Sequence, residues 1–582
     1  MPRLVESASA QSGFRGSGLP GGGLIIDDAP DSPGWQIPLI LPYGYSMSMT
    51  DFDWSLPYSS QREAVLARNV VATSQPLAAQ AGLRMMLDGG NAIDAAVAAA
   101  VALTVVEPTS NGIGADAFAL VWAGGGLHGL NASGRSPKAL KPERFDGLDA
   151  MPLLGWDAVT VPGAVSAWIE LAQRFGSLPI EKLFEPAITY ARDGYLVSRQ
   201  TAYYWALGHE KYREFGEYQK TFCPHGRAPH AGEQISLPNH ARTLQRIAET
   251  SGQAFYQGDL AERITEHAAA TGGILTRDDL ASHRPEWVRP ISVDYSGYTL
   301  HEIPPNGQGL AALIMLGILG HHGIGDRPVD SADSLHLQIE AMKLAFADAH
   351  RYIADPAWMD VDVQHLLDPA YLAERSSLID PSRALDPGHG RPKPGGTVYL
   401  TTADADGNMV SYIQSNYTGF GSGIVIPETG IALQNRGGCF TLEKGHPNEV
   451  GPAKQPYHTI IPGFVTREAA SGRHNPVMSF GVMGGFMQPQ GHAQVLIRLA
   501  DYGQNPQAAI DGPRWRVDAG LNVNLEPGFA DDVYDELRRR GHQLKIAAPP
   551  QEFYGRGQAA YKLDDGYFAA SDGRADGQAV GF

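Results

Sequence analysis

Cysteine is almost missing from this chain. Cys223 and Cys439 stand far apart in 582 residues, with no C-x-x-C spacing, which excludes a disulfide framework and a thiolate zinc site and is compatible with a reducing compartment. Basic clusters are missing as well. Lys and Arg number 45 against 63 Asp and Glu, a formal charge of −18, and no run of cations is suited to neutralising phosphates, so nucleic acid is not an expected partner. Long hydrophobic runs are also lacking. The most apolar stretch, Ala92 to Val106 in NAIDAAVAAAVALTVV, contains Asp94 and falls short of the roughly 20 residues that span a bilayer, so a buried helix and no membrane partner are expected. Within residues 1–48 the apolar run Ile37 to Leu41 is interrupted by Pro38 and is too short for a signal-peptide core. The expectation is a cytoplasmic protein, with 1–48 a disordered tail or a mis-called start ahead of Met49.

Several catalytic signatures are absent. There is no G-x-S-x-G, no H-E-x-x-H and no G-x-x-x-x-G-K-[ST], which removes the nucleophile-elbow, zincin and P-loop readings. Gly112-Ile-Gly114-Ala-Asp-Ala117 fits the dinucleotide fingerprint only formally, because it follows a helical pattern and precedes a strand, the reverse of the required order. Asp404-Ala-Asp406-Gly-Asn408 has a calcium-loop start, but the position that needs a bidentate acid falls on Ser415. A hairpin turn accounts for it better.

What is present is a large soluble core, 43% apolar with 19% charge. Ser74 ahead of Gln75-Pro76 predicts a helix start, and Gly89-Gly90-Asn91 ends that helix and caps the next. Phe118 to Trp122 reads as a strand, and Leu335, Ile339, Met342, Phe346 and Ile353 set the period of one long helix stopped at Asp355-Pro356. From Pro381 to Gly396 the composition turns to Pro, Gly and small polar residues. A hairpin follows, VYLTTA and MVSYIQS around Asp406-Gly407-Asn408.

Thr397 stands where the loose segment ends and the first strand begins, directly after Gly395-Gly396. If the 396–397 bond were cut, one residue would hold both a hydroxyl nucleophile and an α-amine of pKa about 8, able to take the hydroxyl proton and later deliver it to a leaving group. Gly396, lacking Cβ, permits a strained approach of the hydroxyl to the preceding carbonyl. The residues alone also allow Thr397 to be an ordinary strand residue.

The pieces PLAAQAGLRMMLDGGNAIDAAVA, VEPTSNGIGADAF, VTVPGAVSAW, EAMKLAFADAHRYIADP, TVYLTTADADGN, GFGSGIV, GPAKQPYHTIIP, VMGGF and SDGRADGQAVGF, in this order, resemble the γ-glutamyltranspeptidases, self-processing N-terminal-nucleophile hydrolases. The resemblance implies an α+β fold, an αββα sandwich of two self-cleaved, intertwined fragments: a large one, 49–396, and a small catalytic one, 397–582. It implies cleavage at Gly396-Thr397, Thr397 as nucleophile, the Gly484-Gly485 N–H groups as oxyanion hole, Ser415 or Gln414 as the hydroxyl's partner, and no metal or organic cofactor. Substrate contacts implied at the matching positions are Asn416, Gln434, Asn435, Arg436, His458 and Thr459.

Departures from the family pattern bear on the substrate. The arginine for the substrate carboxylate is replaced by Ser133, with Arg135 two residues on as the expected substitute; the acid for the α-ammonium is lost near Cys439; a Ser-Ser pair reads His458-Thr459; and only Thr441 to Val450 separates Phe440 from GPAKQP, a shortened lid that favours water as acceptor. The expected partners are a small-molecule amide and the two fragments of the chain itself, with dimerisation left open. The expected activity is hydrolysis of γ-glutamyl amides such as glutathione. The alternatives are another small amide, of the oxamate or cephalosporin side-chain kind, an unprocessed non-catalytic scaffold, or a biosynthetic use of the same threonine.

Overall fold

The computed structural model describes residues 58, 62–387, 396–547 and 554–582. The expectations for residues 1–48 and for the loose segment between 388 and 395 lie outside the described residues. Two seven-stranded antiparallel sheets face one another. One runs Gln578–Gly581, Val70–Thr73, Gly396–Ala403, Met409–Tyr417, Asp116–Ala123, Gly126–Asn131, Glu286–Val288; the other runs Val65–Ala67, Gly566–Ser571, Arg556–Leu563, His474–Met483, Gly463–Glu468, Tyr298–Glu302, Ile291–Tyr295. Helices Pro76–Leu87, Ala92–Val106, Ala164–Phe175 and Ile180–Asp193 belong to the layer covering the first sheet. Gly309–Leu319, Ala332–Tyr352 and Met487–Ala500 cover the second. The result is an αββα sandwich, and both sheets interleave strands from either side of the 396–397 bond.

Local chemistry explains the elements that hold the centre. In Ala92–Val106 every residue is buried, Asp94 included. Asp94 is tolerated there because its carboxylate accepts the Asn91 N–H at 2.9 Å, completing a capping box, and the N–H of Ser177 at 3.0 Å. The preceding helix is capped by Gln75, whose side chain accepts from Leu77 and Ala78 N–H, rather than by Ser74. Ser74 is drawn away because its hydroxyl donates to Glu107 at 2.5 Å. The 404–408 turn is built on the Asp404 carboxylate, which accepts the Asp406 and Asn408 N–H groups at 3.1 and 3.0 Å and reaches the Ala92 N–H at 2.8 Å. The Ala332–Tyr352 helix ends three residues before Asp355-Pro356. Among the described residues no helix is long and apolar enough to cross a membrane.

Where the sheets meet, the Gly396–Ala403 strand lies over His474–Met483. Tyr399 fills the contact at Gly481, with its hydroxyl held by Ser411 at 2.7 Å. A Cβ on Gly481 would stand 2.5 Å from the Tyr399 ring, and the tethered ring cannot swing away. Gly481→Val is expected to destabilise the protein by roughly 1–3 kcal/mol, measured as a lowered thermal midpoint; an unchanged midpoint would show that the interface is looser than described.

Candidate active site

Pairing register brings the first groups together. Gly396 pairs with Tyr417 but Val398 pairs with Gln414, so Ser415 and Asn416 together stand opposite Thr397 in a β-bulge. Ser415 is the one in step with the regular pairs from Val398–Gln414 to Ala403–Met409, which puts it on the threonine's face, and Asn416 is the extra residue. Thr397 Oγ1 donates to Ser415 Oγ at 3.1 Å, and Ser415 Oγ also accepts the Tyr417 N–H at 2.8 Å. Gln414 faces the other way, with its amide carbonyl accepting from Trp168 Nε1 at 2.9 Å and its amide nitrogen donating to Asn111 at 2.5 Å. Of the two candidates for the hydroxyl's partner, geometry brings only Ser415 to Thr397. Gln488, in the first turn of Met487–Ala500, points its amide nitrogen at Thr397 Oγ1 from 3.5 Å.

Behind the threonine lies a buried ion pair that sequence reasoning missed. Arg556 donates to the Thr397 carbonyl at 3.2 Å and pairs with Glu107 at 3.1 Å. Burial pushes the Glu107 carboxyl up, while Arg556 and the Ser74 hydroxyl hold it down. The partners are 449 positions apart, beyond the reach of any local pattern, although Glu107 lies within the VEPTSNGIGADAF piece.

Gly484 and Gly485 follow the end of His474–Met483 with φ of 139° and 61°, values that favour glycine. The Gly485 carbonyl is fixed by Gln308 Nε2 at 2.9 Å, and the same amide nitrogen donates to the Thr459 carbonyl at 2.5 Å.

Around them the other candidates divide by what their polar atoms already do. Gln434 donates to Thr160 O at 3.0 Å and accepts the Arg436 N–H. Asn435 bonds Thr418 and Leu153 through both ends of its amide. His458 Nε2 lies 3.2 Å from Asp116 Oδ2 while its Nδ1 accepts the Ile460 N–H at 3.4 Å, so the ring is the neutral Nε2–H tautomer donating to Asp116. Burial, with Arg436 adding to it, pushes His458 well below the usual histidine range. All three have side-chain polar atoms committed to protein partners. Burial also pushes the Asp116 carboxyl up to about 7 against the pull of Arg436 and the Gly134 and Gly163 N–H groups.

Arg436 is different. It is fully buried; Nη1 donates to Thr459 Oγ1 at 2.7 Å and the guanidinium lies over the Tyr417 ring at 4.7 Å, but Nε and Nη2 meet no acceptor. Both polar atoms of the Asn416 amide are likewise buried without a partner. Arg135, the expected carboxylate receptor, already faces a carboxylate of the protein. Its guanidinium pairs with Asp355 at 2.5 Å and its side chain is 42% exposed, because the 133–136 segment is tied to 451–455 through Ser136 and Gln455. Ser133 hydrogen-bonds Asn131 at 2.8 Å.

A cavity of about 1060 Å³ adjoins this cluster, walled by Tyr417, Cys439, Phe440, Tyr457 and Phe486 and by the Leu344–Tyr352 face of the long helix. The short Thr441–Val450 segment forms part of its rim. Elsewhere, His336, Glu340 and His542 have metal-like spacing. The Lys343 ammonium already sits 2.7 Å from Glu340, however, and the two imidazoles bond each other at 2.8 Å, so the donors are spent on a buried ion pair.

Comparison with known proteins supports the same chemistry. A family model described as gamma-glutamyltranspeptidase matches residues 78–582. The glutathione hydrolase-like YwrD proenzyme of Bacillus subtilis is 36% identical over 532 residues, covering 89% of this chain and 99% of the relative. The oxamate amidohydrolase proenzyme of Klebsiella pneumoniae is 37% identical over 520 residues, covering 87% and 97%. Among solved structures, the cephalosporin acylase from Bacillus halodurans superposes with a TM-score of 0.85 at 49% identity, over 91% of this chain and 99% of that one. The sandwich is that of an N-terminal-nucleophile hydrolase, and the homologues are named as proenzymes.

Two predictions come from the buried charges. Arg556→Met strands Glu107 and is expected to cost about 3–5 kcal/mol of stability, whereas Arg556→Met combined with Glu107→Leu should recover most of it. Equal loss in the single and double variants, measured by denaturant unfolding, would contradict the pairing. For Asp116, a folded-state pKa raised from 3.8 to about 7 means its contribution is fully present below 3.8 and is lost as pH rises through 7. Asp116→Asn should therefore gain stability relative to wild type across that interval, and a pH-independent difference would refute the assignment.

Proposed function

The chain belongs to the γ-glutamyltranspeptidase family, and on that premise we propose that it is a self-processing amidohydrolase whose nucleophile is Thr397. In the intact chain the Thr397 hydroxyl adds to the Gly396 carbonyl carbon. The amide C–N bond breaks as the nitrogen takes up a proton, giving an ester and freeing the Thr397 α-amine, and water then hydrolyses the ester, releasing the Gly396 carboxylate and restoring the Thr397 hydroxyl. The products are the large fragment ending at Gly396 and the small fragment beginning at Thr397.

In the processed enzyme the α-amine takes the Oγ1 proton as that oxygen attacks the substrate amide. The Gly484 and Gly485 N–H groups receive the oxyanion, a contribution of several kcal/mol in such sites. Collapse expels the amine with the proton the α-amine carried, and water attacks the acyl ester by the reverse relay. Ser415 and Gln488 aim the hydroxyl. The 1060 Å³ cavity has room for the amine half, and the short 441–450 rim favours water over a second amine, hence hydrolysis over transpeptidation. The enzyme's substrates are γ-glutamyl amides such as glutathione, or small amides without an α-ammonium, such as oxamate.

The observation that carries this reading is the strand pairing that sets Thr397 Oγ1 3.1 Å from Ser415 Oγ. Intact-mass measurement on wild type and Thr397→Ala tests it. Wild type should yield two fragments divided at 396–397, Thr397→Ala a single chain close to the full 62.4 kDa, and Thr397→Ser slower cleavage at the same bond. An uncut wild-type chain would favour the non-catalytic scaffold.

A further inference from the structure

Lys343 and Glu340, on the Ala332–Tyr352 helix, are buried, and a buried ion pair returns little stability compared with apolar residues of the same size. What this pair holds is backbone. Glu340 Oε2 accepts the Leu385 N–H at 2.7 Å, and the Lys343 ammonium donates to the Leu385 carbonyl at 3.0 Å and to Glu340 Oε1 at 2.7 Å. Its third proton goes to His542 Nδ1 at 3.4 Å. The imidazoles carry the chain onward. His336 Nε2 lies 2.8 Å from the Asp380 carbonyl, which can only accept, so His336 Nδ1 accepts the His542 Nε2–H at 2.8 Å and His542 Nδ1 is left to accept from Lys343. Burial, with Lys343 beside it, pushes His542 down to about 2, which keeps the ring neutral as this direction of donation requires. The Arg540 carbonyl accepts the Ala384 N–H at 2.7 Å.

The stretch pinned in this way leads toward the 396–397 bond, and it lines the large cavity. Leu378, Leu385 and Pro387 belong to the wall from one side of that bond, and Tyr417, Phe440 and Phe486 from the other. Phe486 directly follows the Gly484-Gly485 pair, and Tyr417 pairs with Gly396, which sets the cavity beside the nucleophilic strand.

Apart from Glu443, exposed at the rim, the charges along the wall are spent on protein partners: Arg375 pairs with Asp348 at 3.0 Å and Arg351 with Asp360 at 2.9 Å. Leucine, proline and aromatic rings then dominate the surface left for a ligand. Cutting at 396–397 removes no member of the clasp. His336, Glu340, Lys343, Asp380 and Leu385 lie before the cut and Arg540 and His542 after it, so the same contacts tie the two fragments together.

We infer, resting on the amidohydrolase reading above, that residues 378–387 stay docked after the chain is cut and form, with the aromatic wall of the small fragment, a subsite for a bulky apolar group on the amine half of the substrate. Leu385 determines the fit, and Lys343 and Glu340 are the positioning residues that hold it in the wall.

Two measurements on the processed protein test this without relying on turnover. Hydrogen exchange should show residues 378–387 protected in wild type and exchanging about tenfold or more faster in the paired variant Glu340→Leu with Lys343→Met, which removes both charges and strands neither. Calorimetric titration with N-(cyclohexylmethyl)acetamide against N-methylacetamide, neutral stand-ins for the amine half, should show the bulky amide binding tenfold or more tightly. Leu385→Ala should weaken the bulky amide about fivefold or more, and the paired variant should weaken it by a similar factor. A clasp that served stability alone would lower the thermal midpoint of the paired variant and leave that affinity unchanged. Leu385→Ala decides the question if the paired variant fails to fold. Free exchange of 378–387 in the processed wild type, no preference for the bulky amide, or unchanged affinity in Leu385→Ala would overturn the inference. Failure of the underlying reading is seen separately, as a chain left uncut at 396–397.

Discussion

The pairing register of two strands organises the site. Continued from Val398–Gln414, the regular register sets Ser415 directly across from Thr397 on the same face of the sheet, and a slip of one residue would put Val398 there instead. The extra residue, Asn416, comes one step beyond that pair, so Ser415 keeps its place at the threonine hydroxyl and Asn416 lies beside it. Such a bulge persists only because both strands are buried between a helical layer and a second sheet, so that slipping the register would bring apolar residues out of the core. The sandwich therefore supplies the precision that a threonine nucleophile requires, and the pairing that is irregular is the one nearest the chemistry.

The same burial explains why so much polarity is locked in place. Gln434, Asn435, His458 and Gln308 have their hydrogen-bonding capacity committed to protein groups, as buried polar groups must. Arg436 and Asn416 are among the exceptions, each keeping two buried side-chain atoms without a protein partner.

Much of this was legible in the sequence, for identifiable reasons. The buried Ala92–Val106 helix, the long Ala332–Tyr352 helix, the hairpin and the Gly-Thr junction are local patterns, and each was readable from period, turn residues or composition. The sandwich and the glycine pair came through the family resemblance, since a bare Gly-Gly says little by itself. What was not legible depends on contacts between distant segments. Arg135 and Arg436 look equally able to bind a carboxylate until Asp355 is seen to occupy the first. Ser74 is a sound helix cap until Glu107 draws its hydroxyl away. Gln414 and Ser415 are indistinguishable until the pairing register is known.

The central claim is that Thr397 forms a covalent bond to the acyl half of the substrate. Acid quenching of the processed enzyme during turnover of an amide, followed by peptide mapping, tests it most directly. The account predicts an acyl ester on Thr397, at the amino terminus of the small fragment, that decays at the rate of product formation. An acyl group on any other residue, or turnover with no covalent intermediate while Thr397→Ala remains active, would contradict it.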